Sequence, residues 1–139
     1  MGILETLFGG KKYPELDKES PEARKLDDMK DSLVKLTEKV NDPMEIVPDD
    51  GSAYVFIGKP PKNFGMAWIK DGRVHNFKTL SEEKDLPQNE MLKLVDELAR
   101  AYRRSDETQK YSATIGGKTV TVTPSPDLAG RVKKIIANA

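Results

Sequence analysis

Phe64-Gly65-Met66-Ala67-Trp68-Ile69-Lys70-Asp71-Gly72-Arg73-Val74-His75-Asn76-Phe77-Lys78 decides the fold class. Two runs rich in β-branched and aromatic residues flank Asp71-Gly72, a dipeptide suited to the two-residue turn of a tight hairpin. If that turn sets the register, Lys70 pairs with Arg73, Trp68 with His75 and Met66 with Phe77. Met66, Trp68, His75 and Phe77 then share one face, which is expected to be core because those side chains bury the most area. The opposite face carries Ala67, Ile69 and Val74.

Working outward, Ala53–Gly58 reads as a strand before this hairpin, and a second hairpin reads as Lys110–Ile115 and Lys118–Thr123 around Gly116-Gly117. Its alternation is clean. Tyr111, Ala113, Val120 and Val122 fall on one face, and Ser112, Thr114, Thr119, Thr121 and Thr123 on the other. Helices are expected on the Tyr111/Val120/Val122 face, leaving a Thr-rich face beside Ala67, Ile69 and Val74.

Three helices frame these strands. Ser20-Pro21-Glu22 combines a capping hydroxyl, a proline at the first helical position and an acid in the first turn. Leu26, Met29, Leu33, Leu36 and Val40 follow at steps of three and four, predicting one helix up to Asn41-Asp42-Pro43. The stretch from there to Asp49-Asp50-Gly51 reads as an irregular connection. Ser81 and Pro87-Gln88-Asn89 lead into a second helix with Met91, Val95, Leu98 and Tyr102 on one side. Arg100, Arg103 and Arg104 near its end suit the helix dipole. Ser125-Pro126-Asp127 starts the third, striped by Leu128, Val132, Ile135 and Ile136 and slightly weakened by Gly130.

The expected fold is therefore α+β: residues 20–139 form a single domain with a five-stranded, mainly antiparallel sheet and helices packed on one face. The predicted order is α-β-β-β-α-β-β-α, with residues 1–19 as an amphipathic, flexible N-terminal segment that includes a short helix. The order is similar to that of small bacterial secretion-chaperone dimers, which implies a chaperone-like homodimer as a third functional reading.

Composition narrows the chemistry. The 139 residues carry 23 Lys+Arg, 23 Asp+Glu, one His and no Cys. Disulfides, thiolate metal sites and cysteine nucleophiles are excluded. The single His75 excludes every paired-His metal site. No metal or cofactor is expected, although Asp49-Asp50-Gly51 is the best acidic cluster for a hard cation. Residues 1–50 hold 8 basic and 13 acidic groups, residues 51–80 hold 5 and 1, residues 81–109 hold 5 and 8, and residues 110–139 hold 5 and 1. Two acidic blocks thus alternate with two basic ones, and the balanced total argues against nucleic acid as a partner. Gly117-Lys118-Thr119 resembles the end of a phosphate loop, but it precedes a strand, and the glycine required five residues before Gly117 is Ser112.

No catalytic constellation is apparent, because His75 lacks a sequence-local carboxylate to orient it. The expected function is a non-enzymatic adaptor or accessory subunit that binds a protein partner within a larger assembly. Its expected contact residues are Ile3, Leu4, Leu7 and Phe8 in the N-terminal segment, and Lys59, Pro60, Pro61 and Lys62 in a stiff cationic loop. The alternative is a small-ligand sensor or carrier with a pocket near Trp68 and His75. Homodimerisation is a further expectation. No run reaches the roughly 20 apolar residues of a bilayer span. The expected location is cytoplasmic, with the N-terminal segment touching the inner face of a membrane as a variant of that reading.

Overall fold

The computed structural model describes residues 13–58, 64–104 and 108–139. Its elements are α1 (Pro21–Asp28), α2 (Lys30–Lys39), β1 (Met44–Asp49), β2 (Ser52–Ile57), β3 (Gly65–Lys70), β4 (Arg73–Asn76), α3 (Phe77–Lys84), α4 (Gln88–Arg104), β5 (Tyr111–Ile115), β6 (Lys118–Val122) and α5 (Pro126–Ala137).

The strands form one mixed six-stranded sheet in the order β4-β3-β2-β1-β6-β5. This corrects the expected five-stranded, mainly antiparallel sheet. The added strand is β1, which lies in the stretch read as irregular. Pro48 and Glu45 hid it, since both are unusual inside a strand. Pro48 is tolerated because the parallel ladder to β6 engages only Glu45 and Ile46, two residues short of it, while β2 pairs along the whole strand. β1 is antiparallel to β2 and parallel to β6, so it joins the meander β1–β4 to the hairpin β5–β6.

Both predicted hairpin turns are present. Asp71 and Gly72 have φ of 53° and 75°, and Gly116 and Gly117 have 57° and 80°, the two successive positive values of a type I′ turn. Lys70 pairs with Arg73 and Trp68 with His75. The expected Met66–Phe77 pair does not form, because β4 stops at Asn76. There the Asn76 side chain accepts from the Thr79 N–H at 3.0 Å, and the Thr79 hydroxyl accepts from the Asn76 N–H at 2.9 Å. This reciprocal cap starts α3 at Phe77, a helix not foreseen as separate.

Helices cover both faces of the sheet, not one. α1 and α2 bring Leu26, Leu33 and Leu36 onto Ile46, Val55, Ala67, Ile69, Val120 and Val122. On the other side α3, α4 and α5 bring Leu80, Leu94, Leu98, Leu128 and Val132 onto Val47, Tyr54, Phe56, Met66 and Trp68. Ala67 and Ile69 therefore share the covered face with Val120 and Val122 and do not adjoin the Thr-rich one. Without β1, the relative phase of the two hairpins could not be known. The single long first helix is also interrupted, at Met29, where no glycine or proline marks the break.

Residues ahead of α1 join the same unit. Glu15 bridges Ser112 in parallel, the Leu16 N–H donates to the Ser112 carbonyl at 2.8 Å, and Leu16 is buried. Among the described residues no helix is long and apolar enough to cross a membrane.

Candidate functional site

Along α4, Glu97, Arg100, Ala101 and Arg104 recur at i, i+3, i+4 and i+7, so they form one stripe. Asp127, Gly130, Arg131 and Lys134 repeat that spacing along α5. With Leu98 and Leu128 turned to the sheet, the two stripes face each other across an open groove of about 640 Å³, completed by Pro126 and Ile135. Ala101, Gly130 and Ile135 supply its apolar surface, and the longer charged side chains stand along its sides. Ala101 and Arg104 also share a small recess with Ser125, Asp127 and Leu128, so the last turns of α4 adjoin the first turn of α5.

Much of the charge is already matched. Arg100 binds Asp96 at 3.0 Å and Arg131 binds Asp127 at 2.9 Å, each one turn along its own helix. Arg104 and Lys134 have no ion-pair partner among the described residues. Glu97 is likewise unpaired among the described residues, so the groove's unmatched side chains are two cations and one acid, a net positive charge.

Beneath the end of α4 lies a buried polar knot. Lys110 donates to Glu45 Oε2 at 2.7 Å and to the Thr123 hydroxyl at 3.2 Å. Thr123 donates to the same Glu45 oxygen at 2.7 Å, and Tyr102 donates to Glu45 Oε1 at 3.0 Å. Glu45 thus accepts from three side chains, one of them charged, which is how a buried carboxylate is stabilised. The knot binds β1, the ends of β5 and β6, and the last turn of α4 together. It thereby positions Ala101 and Arg104 in the groove. The Tyr102 ring also packs against Phe56, tilted by 37° with ring centroids 4.8 Å apart.

Trp68 is buried, and the His75 ring lies over its indole at 6.0 Å with an interplanar angle of 16°. A carboxylate does stand near the imidazole. Glu83 Oε1 is 3.8 Å from His75 Nδ1, delivered by α3 and therefore invisible before α3 was placed. That separation exceeds hydrogen-bond reach. Neither Trp68 nor His75 lines the groove.

The expected contact residues Ile3, Leu4, Leu7, Phe8, Lys59, Pro60, Pro61 and Lys62 lie outside the described residues. Asp50 pairs with Lys25 at 3.2 Å, and no group of three or more His, Asp or Glu side chains able to hold a metal occurs among the described residues. The signal of the groove is in the sequence: Arg100 and Arg104 read as helix-dipole cations and Gly130 as a weak spot, and only the packing of α4 beside α5 brings their stripes together.

In comparisons with known proteins, no family model matches the chain, and neither a curated protein nor a solved structure matches it.

Proposed function

We propose that this chain is a non-enzymatic adaptor or accessory subunit that binds a protein partner, and that the α4–α5 groove is a contact surface. The groove carries the reading: it is broad, open and lined by Arg104 and Lys134, which have no ion-pair partner among the described residues. An open groove leaves a small ligand largely in water, whereas a partner segment covers it with its own body. The most polar buried cluster does not compete for that role, because Glu45 is already engaged by Lys110, Thr123 and Tyr102. The carrier alternative near Trp68 and His75 has less support, since the indole is buried and neither residue lines the groove or the recess beside it.

Site-specific photo-cross-linking in the native host tests the proposal. A photoreactive residue at Lys134 is expected to give one stoichiometric protein adduct, and the same residue at Lys39, exposed on α2 across the sheet, is expected to give none. Adducts at Lys39 but not Lys134 would move the contact surface to the other helical layer. No adduct at either position, with an unbound monomer by light scattering, would reject the adaptor reading. Repeating the experiment without residues 1–12 tests the contribution of Ile3, Leu4, Leu7 and Phe8.

A further inference from the structure

We infer that the groove takes an acidic polypeptide segment of the partner, seating one aliphatic side chain over Ala101 and Gly130 between flanking carboxylates; this rests on the partner-binding reading above. The charge argument comes first. Four cations and two acids line the groove, and because Arg100 and Arg131 are already paired, Arg104 and Lys134 are left among the described residues against the single unpaired acid Glu97, so the unmatched charge is net positive. A cleft edged by unbalanced charge of one sign concentrates ligands of the other. The first turn of α5 adds its partial positive charge beside Arg104.

Gly130 supplies the second argument. Glycine inside a helix is less stable than alanine, so its presence calls for a reason. A Cβ at this position would meet nothing within 4 Å, and its φ is not in the left-handed region. Neither packing nor backbone geometry within the chain requires glycine here. What its missing side chain does is widen the groove opposite Ala101, leaving room for an apolar side chain from outside. A continuous phosphate backbone fits less well, because it has no apolar group to place on the Ala101, Gly130 and Ile135 surface.

The test titrates the full-length, ¹⁵N-labelled chain at low ionic strength with three probes at millimolar concentration. They are a synthetic peptide with a leucine between glutamate pairs, its lysine counterpart, and an oligothymidylate. The glutamate peptide is expected to shift the amides of Ala101, Gly130 and Ile135 and to release in high salt. Gly130→Leu is expected to block it sterically. The Arg104→Glu/Lys134→Glu variant is expected to weaken it by about ten-fold or more, with amides elsewhere unchanged as proof of folding. Absence of shifts at the groove, equal binding of the lysine peptide, or tighter binding of the oligothymidylate would each overturn the inference. If Lys134 cross-links persist in the host while the glutamate peptide fails, the acidic segment is wrong and the adaptor reading stands; if both fail, the two fall together.

Discussion

Lys110 Nζ lies 2.7 Å from Glu45 Oε2 across 65 positions of sequence, and both side chains are about nine-tenths buried. The pair ties the segment entering β5 to β1, the strand that unites the two halves of the sheet. Removing one partner leaves an uncompensated charge in the interior, so Lys110→Met is expected to cost about 3–5 kcal/mol in urea unfolding. The Glu45→Gln/Lys110→Met double variant should lose less than the sum of the two single variants. Additive losses would show that the two groups are not coupled.

Two glycines should respond to alanine in opposite directions. Gly116 has φ +57°, and a Cβ there would sit 2.8 Å from Thr37 Oγ1 and 3.3 Å from Val34 Cγ1. Thr37 cannot easily yield, because its hydroxyl donates to the Val34 carbonyl at 2.7 Å. Gly116→Ala is expected to destabilise by about 1–3 kcal/mol through strain and overpacking. Gly130→Ala, with open space around the new methyl, is expected to stabilise by about 0.5–1 kcal/mol. Denaturant midpoints measured side by side decide both.

Alkaline pH should weaken the fold through Tyr54. Burial, followed by the negative charge of Asp49, pushes its hydroxyl from 10.0 up to about 12. A group whose proton is held more tightly in the folded state stabilises fully below the unfolded value and stops doing so as pH rises through the folded one. Stability is therefore expected to decline between about pH 10 and pH 12, and Tyr54→Phe to flatten that decline. An unchanged slope in Tyr54→Phe would assign the alkaline loss to other groups.

Asn76 ends β4 and caps α3 with the same residue. Asn76→Ala is expected to cost about 1 kcal/mol, while Asn76→Asp, which keeps an acceptor for the Thr79 N–H, should recover most of it. Amide exchange at Thr79 and Leu80 would locate the loss in the first turn of α3, and protection unchanged there would contradict the cap.

Legibility followed the range of the interactions. The turns at Asp71-Gly72 and Gly116-Gly117 and the caps at Ser20 and Ser125 were readable because each depends on residues within four positions. The Asn76–Thr79 cap was equally local. Phe77 and Lys78 mask it, because their alternation continues that of β4. β1 was hidden more deeply: Glu45 and Pro48 look wrong for a central strand until Lys110, Tyr102 and Thr123 answer the carboxylate and β6 ends before the proline.

Sequence alone determined the α+β class, the two tight hairpins, the starts of α1 and α5, and the absence of cysteine chemistry, since these follow from local backbone preference and composition. Tertiary structure decided the sixth strand, the coverage of both sheet faces, the buried knot around Glu45, and the meeting of two helical stripes in one groove. Those features depend on which distant segments lie side by side. That choice is made by burial and charge pairing across the whole chain, which no local window of residues contains.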